Sequence, residues 1–273
     1  MPELPEVQAV VNYIRPLLVN LQIVSIRNPN TYFKVFETHT KDELNNLVSN
    51  QTIRDVFRRG KYILIQLDNG YLAVHLRMTG NFKSQLDRND DMRHISAQFE
   101  LNNGTSLYYK DYRKFGRIYY FFDLDFLETK LGCEPLSSNF DYYYLHNGLK
   151  RSKGVIKTKL LDQSFIAGLG NIYVDESLWR AKIHPLKKCN TISKQKTKQL
   201  AISIPQILQK AIDHNGTTII NFSFGNSSIG NYKDELDVFG RTGEECKRCY
   251  QYKIKKIFVA QRGTHFCSQC QRI

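Results

Sequence analysis

The chain has 273 residues, a formal net charge of +13 and 41% hydrophobic side chains. That apolar content supports folded cores and excludes wholesale disorder, and the length allows two domains plus a small module. An excess of 39 Lys and Arg over 26 Asp and Glu favours a polyanionic partner, nucleic acid ahead of an anionic membrane.

In chain order, Met1-Pro2-Glu3-Leu4-Pro5-Glu6-Val7 sets two prolines and two carboxylates before a helix. Val7, Val10, Val11, Ile14, Leu17 and Leu18 recur at helical spacing and predict one apolar face. Pro5 and Glu6 suit a first helical turn. Pro2 and Glu3 have two readings. One is helix punctuation. The other follows from loss of Met1: Pro2 then carries a secondary amine able to attack an aldehyde-level carbon, with an acid beside it to supply a proton.

A strand is expected at 21–27 and a short amphipathic helix at 41–48. Strands follow at 52–58, 62–67 and 71–78, the last two joined by Asp68-Asn69-Gly70. Residues 94–101 and 106–110 form a second hairpin around Asn102-Asn103-Gly104, and 116–122 a further strand. This spacing predicts an antiparallel β-sandwich with the first helix packed on its side or end. Residues 126–131 close this half, and Gly132-Cys133-Glu134-Pro135 reads as a hinge. Helices are expected at 142–150, 156–162, 172–181 and 193–214, the last kinked or broken at Pro205. The segment 221–232, rich in Gly, Ser and Asn, reads as a loop, either mobile or gripping a substrate.

The pairs Cys246-Lys247-Arg248-Cys249 and Cys267-Ser268-Gln269-Cys270 have the spacing of a four-thiolate zinc site around a hairpin, with two disulfides as the alternative. The hairpin is basic and expected to meet phosphates. Cys133 and Cys189 lie outside it and read as inert. No apolar run is long enough for a membrane span, the start lacks the pattern of a signal peptide, and a reducing cytosol is expected. The fold class is therefore α+β: an N-terminal antiparallel β-sandwich with flanking helices (1–132), a helical domain (133–235) and a four-cysteine zinc-finger hairpin (236–273).

Several motifs in this order carry a resemblance. They are the first seven residues, Arg59-Gly60-Lys61-Tyr62, His75-Leu76-Arg77-Met78, Asp111-Tyr112-Arg113-Lys114-Phe115-Gly116 and Gly168-Leu169-Gly170-Asn171-Ile172-Tyr173. Phe239-Gly240-Arg241-Thr242-Gly243 and Gln261-Arg262-Gly263-Thr264 complete the set. Together they resemble the bacterial formamidopyrimidine-DNA glycosylase family over the whole chain. Leu4 is similar to the oxidised-purine branch, where the endonuclease VIII branch has Gly.

The resemblance implies a base excision repair glycosylase and AP lyase acting on 8-oxoguanine and formamidopyrimidines in duplex DNA. It implies Pro2 as nucleophile at C1′, Glu3 as general acid, Lys61 as an aid to proton transfer or a phosphate contact, and Arg262 as support for the second elimination. Met78, Arg113 and Phe115 would fill the space of an extruded base, with core packing as the other reading of Met78 and Phe115. Asn171 would hold a phosphate at the turn of a helix–two-turns–helix, and Lys153 is a further DNA contact. Glu6 is a weaker substrate candidate beside its capping role.

One structural Zn²⁺ on Cys246, Cys249, Cys267 and Cys270, damaged double-stranded DNA as partner, a monomeric state and the bacterial cytosol complete these expectations. Departures from the family pattern are Gln8-Ala9, Cys133, Met92 where relatives carry a DNA-binding His, and Ser152 at a frequently basic position. An oxidised-pyrimidine glycosylase and a non-catalytic zinc-containing DNA-binding protein stand as alternatives.

Overall fold

The computed structural model describes residues 1–88, 90–218 and 230–273. Of the segment 221–232, residues 221–229 lie outside this range. Two compact units are present, one of Met1–Leu127 with His214–Asn231, the other of Glu128–Asp213 with Tyr232–Ile273.

The first unit begins with α1 (Leu4–Leu18), three residues ahead of the apolar periodicity. Its start is set by a side chain: Glu6 reaches back to accept the Glu3 amide at 2.7 Å, satisfying a donor that no helical carbonyl can take. Val7, Val10, Ile14 and Leu18 are at most 1% exposed, each worth about 1.5–3 kcal/mol of burial. The strand β1 (Ile23–Arg27) follows, then α2 (Lys41–Val48). At α2, Thr40 and Glu43 form a reciprocal cap, with the Glu43 carboxylate accepting the Thr40 amide at 2.8 Å.

The remaining strands are β2 (Asp55–Arg59), β3 (Tyr62–Gln66), β4 (Tyr71–His75), β5 (Gly80–Lys83), β6 (Ile95–Leu101), β7 (Ser106–Asp111) and β8 (Arg117–Phe121). They form two antiparallel four-stranded sheets, β1-β6-β7-β5 and β2-β3-β4-β8. Inward side chains of both sheets (Ile26, Phe82, Phe99 and Tyr109 from one, Val56, Ile63, Val74 and Ile118 from the other) share one core with α1 and α2. Both hairpins read from Asn-Gly signals are present, with Gly70 and Gly104 at φ +81°.

The expected strand 71–78 is shorter than its apolar pattern. It stops at His75, the chain crosses to the other sheet, and β5 begins at Gly80. Because β4 pairs with β8 and β5 with β7, the crossings 76–79 and 112–116 lie side by side: His75 is opposite Arg117, and Gly80 is opposite Asp111.

Lys83 on β5 and Lys110 on β7 are nearly buried, and Asp90 holds both ammonium groups at 2.5 Å. Substituting Asp90→Ala leaves Lys110 without this counterion and Lys83 with only Asp87. We expect a loss of about 3 kcal/mol in urea unfolding, because a buried charge stripped of its partner keeps its desolvation cost.

The second unit holds α4 (Tyr142–Lys150), α5 (Ile156–Leu161), α6 (Asn171–Arg180), α7 (Lys194–Asp213), β9 (Lys255–Val259) and β10 (Arg262–Phe266). The short α3 (Asp125–Lys130) precedes them in the chain. Of the kink or break expected at Pro205, the break does not occur: α7 runs through it as one helix. Leu200, Ile204, Ile207, Leu208 and Ala211 are buried along it, and that burial outweighs the roughly 3 kcal/mol an interior proline costs.

Candidate functional site

The site is assembled at one end of the sheet β2-β3-β4-β8. The two-residue turn Gly60-Lys61 joins β2 to β3, with Gly60 at φ +58°, a backbone region glycine enters without steric cost. Register places Tyr62 opposite His75, and His75 opposite Arg117. The Lys61 turn, the end of β4 and the start of β8 therefore share one rim.

Arg58 ties the start of α1 to that rim. Its Nε donates to Gln8 at 3.2 Å and its Nη1 to the Gly60 carbonyl at 3.0 Å. Gln8 thus has a definite structural use. Glu3 and Lys61 are buried, 4% and 6% exposed.

Glu6 explains part of this burial. One carboxylate oxygen takes the Glu3 amide and the other the Thr217 amide at 2.7 Å, so it pins the chain on both sides of the helix start. Gly216 permits the approach: a Cβ there would lie 2.7 Å from the Glu6 oxygen. Glu6 is thus a structural clasp holding the segment that carries Pro2 and Glu3.

The neighbouring crossings bring Met78, Arg113 and Phe115 together. Met78 and Phe115 are 44% and 48% exposed, so neither is a core residue. Arg113 bridges them, donating to the Met78 sulfur at 2.9 Å while its guanidinium lies 4.7 Å from the Phe115 ring centre. Two apolar tips and one cation thus stand out from the sandwich as a cluster. Met92 is also exposed, and the adjacent His94 ring packs on Tyr112 at 4.6 Å.

In the second unit, Asn171 opens α6 behind Gly168 (φ +84°) and donates to the Gly263 carbonyl at 2.9 Å. That bond fastens the helix start to β10 one residue from Arg262. Arg262 is exposed beside the turn Ala260-Gln261, whose residues have φ +48° and +60°, the signature of a tight hairpin. Lys153 is exposed before α5.

Two acids on α6 were not legible as functional from sequence. Asp175 receives the fully buried Lys157 at 2.6 Å on one oxygen and the His265 amide at 2.8 Å on the other. Glu176 accepts the amides of Asp237, Val238 and Phe239 at 2.9, 2.9 and 2.8 Å. Side by side, these carboxylates socket the hairpin and its leading segment onto α6. A Gly-rich turn before a helix signals its N-terminus, but nothing local tells that the next acids face inward.

Burial pushes the Glu176 carboxyl up to about 7 from its ordinary 4.5, against three amide donors that favour the charged form. A raised value means that the folded chain binds the proton more tightly than the unfolded chain. Its contribution is complete below pH 4.5 and is lost as pH rises through about 7. The shift corresponds to on the order of 3 kcal/mol. Unfolding midpoints of the parent and Glu176→Gln, followed across this window, should show the parent losing ground to the variant as pH rises.

The four hairpin cysteines lie with their sulfurs all within 4.8 Å of one another. Cys246 and Cys270 are 3.9 Å apart and Cys249 and Cys267 3.7 Å, far beyond the ~2.05 Å of a disulfide. Thiolates about 2.3 Å from a central ion form a tetrahedron with edges of about 3.8 Å, which these distances fit. Trp179, Val238 and Ile254 pack around Cys246 and Cys267. Cys189, elsewhere, is buried and its thiol is pushed up by burial, as suits an inert residue.

Residues 1–118 match the family model for the formamidopyrimidine-DNA glycosylase N-terminal domain, 131–223 that for its H2TH domain, and 243–273 the zinc finger found in FPG and IleRS. A formamidopyrimidine-DNA glycosylase of Protochlamydia amoebophila is 41% identical over 100% of both chains. That of Lactobacillus helveticus is 42% identical over 100% of this chain and 99% of its own. Among solved structures, a Lactococcus lactis FPG mutant in complex with Fapy-dG-containing DNA aligns with a TM-score of 0.91, 40% identity and 100% coverage of both chains. A MutM in complex with DNA containing carbocyclic 8-oxo-G gives 0.90 and 39% over the same coverage. Fold, motifs and relatives agree along the whole chain, which belongs to the formamidopyrimidine-DNA glycosylase family of DNA repair enzymes.

Proposed function

We propose that the chain excises oxidised purines, 8-oxoguanine and formamidopyrimidines, from double-stranded DNA and then cleaves the strand as an AP lyase. The observation that carries this reading is the common rim: Arg58 joins the start of α1 to the Lys61 turn, and the crossings bearing Met78, Arg113 and Phe115 leave the same sheet end.

After Met1 is removed, the Pro2 nitrogen attacks C1′, the bond from C1′ to the base breaks, and the base leaves with its electron pair and is protonated as the nitrogen sheds its N–H proton. Glu3 gives a proton to the ring oxygen as the sugar opens, leaving an iminium between Pro2 and C1′. The iminium draws electrons from C2′, so loss of a C2′ proton expels the 3′ phosphate. A second elimination expels the 5′ phosphate and leaves a one-nucleotide gap. Lys61 moves protons or holds phosphate beside these steps, and Arg262 supports the second elimination.

Met78 and Phe115 fill the vacated stack while Arg113 bonds the widowed cytosine. Asn171 and Lys153 take phosphates. The cysteines Cys246, Cys249, Cys267 and Cys270 hold one Zn²⁺, which supplies fold rather than chemistry. We assign catalysis to residues 1–132, DNA binding to 133–235 and the zinc hairpin to 236–273, in a monomer of the bacterial cytosol.

Borohydride trapping on duplexes each carrying one lesion tests the reading. Covalent capture on 8-oxoguanine and formamidopyrimidine duplexes is expected. Capture confined to oxidised pyrimidines would move the chain to the endonuclease VIII type of activity, and no capture at all would leave a non-catalytic DNA-binding protein.

A further inference from the structure

We infer that Asp111 and Thr79 are positioning residues, which lock the two crossings between the sheets into one rigid platform for Met78, Arg113 and Phe115. Asp111 ends β7 and is 1% exposed. One of its oxygens accepts the Thr79 hydroxyl at 2.5 Å and the Arg113 amide at 3.1 Å, and the other accepts the Gly116 amide at 2.7 Å. The Thr79 hydroxyl oxygen in turn accepts the Arg113 amide at 3.0 Å. A single carboxylate thus ties the residue after Met78 to Arg113 and to the residue after Phe115.

Two further observations show that these loops need holding. Arg77 and Lys114 have φ of +54° and +57°, a left-handed backbone that non-glycine residues rarely adopt. Each stands next to one of the proposed void-filling residues, so the conformation that aims those side chains is one the isolated loops would leave. Beneath both loops lies the buried Tyr109 phenol, against which a Cβ on Gly80 would come within 2.2 Å and one on Gly116 within 1.7 Å. The glycines let each loop settle on that ring, and the Asp111–Thr79 bonds close the platform above it. Side chains meant to replace a base in a stack must be held in place before the base leaves, since small misplacements there cost rate.

This inference rests on the void-filling role proposed for Met78, Arg113 and Phe115. Its test is Thr79→Val, which keeps the shape and removes the hydroxyl, with Thr79→Ser as the conservative rescue. Excision of 8-oxoguanine opposite cytosine and opposite adenine is measured, normalised to the fraction of protein trapped by borohydride, beside Met78→Ala and Arg113→Ala.

For Thr79→Val we expect kcat/KM opposite cytosine to fall about tenfold and the preference for cytosine over adenine to fall with it, both restored in Thr79→Ser. Simple loss of stability would lower activity equally opposite either base. If Thr79→Val keeps the preference while Arg113→Ala loses it, the positioning role is wrong and void filling stands. If Thr79→Val, Met78→Ala and Arg113→Ala all excise as the parent does, void filling falls and this inference falls with it.

Discussion

Substituting Pro2→Gly should lower borohydride trapping on lesion-bearing duplexes by about a hundredfold, equivalent to ~2.7 kcal/mol in the barrier. The reason lies in the amine. A secondary amine condenses to an iminium that is positively charged with no proton to lose, whereas the primary amine of glycine gives an imine that must capture one. The substitution also removes the ring that limits where the nitrogen points. Pro2 precedes α1, which begins at Leu4 and is anchored by Glu6, so the helix start survives the change. The cost in stability should stay at about 1 kcal/mol. Duplex binding should remain within about threefold of the parent, because phosphate contacts dominate affinity and none is assigned to Pro2. N-terminal mass, measured alongside, reports whether Met1 has been removed. Trapping and strand cleavage at the parent's rate in a Pro2→Gly protein that has lost Met1 would falsify the assigned nucleophile.

How far the fold could be read ahead differs from element to element, and the differences have physical causes. The hairpins at 68–70 and 102–104 were legible because a tight turn needs left-handed backbone at a fixed place, and glycine advertises it. The apolar face of α1 was legible from its spacing, but its first residues were not, since Glu6 and the amides it binds decide the start. The strand predicted over 71–78 hid a crossing: Leu76 and Met78 look like strand residues, and only the pairing of β4 with β8 and β5 with β7 divides them.

The four cysteines and the exposed trio could be named from motifs. What holds them could not. The sequence reading did not single out Asp90, Asp175 or Glu176, and Asp111 stood only as part of a motif, yet Asp111, Asp175 and Glu176 are at most 2% exposed and the Asp90 side chain 3%. Buried carboxylates are stable only through donors brought from distant parts of the chain, and a single sequence does not say which donors arrive. Asp175 meets His265, 90 residues away, and Glu176 meets amides 61 to 63 residues on. Sequence reasoning thus named the side chains proposed to carry the chemistry and did not single out these buried acids.

Substituting Cys249→Ser should reduce affinity for lesion-bearing duplex about a hundredfold while leaving the sandwich folded. Residues 243–273 bury few apolar side chains, and the small cluster around Cys246 and Cys267 draws Trp179 and Val238 from outside the segment. A module of this size lacks the core to fold unaided, and structural zinc supplies apparent binding energies of about 10–16 kcal/mol in comparable fingers. Replacing one thiolate by a hydroxyl breaks the four-sulfur set whose spacing fits the ion, and zinc content measured after dialysis should fall. The hairpin would still be tethered through Asp175 and Glu176 to α6. Hydrogen exchange should therefore show β9 and β10 losing protection while α1 and β2 to β8 keep theirs. Arg262 would then lie on a strand without a fixed register, and the basic face of the hairpin would lose its fit to phosphates. Removing zinc from the parent with a chelator should reproduce both effects, and restoring zinc should reverse them in the parent alone. Normal binding of damaged duplex by a zinc-free Cys249→Ser protein would mean that the hairpin lies outside the DNA-binding surface.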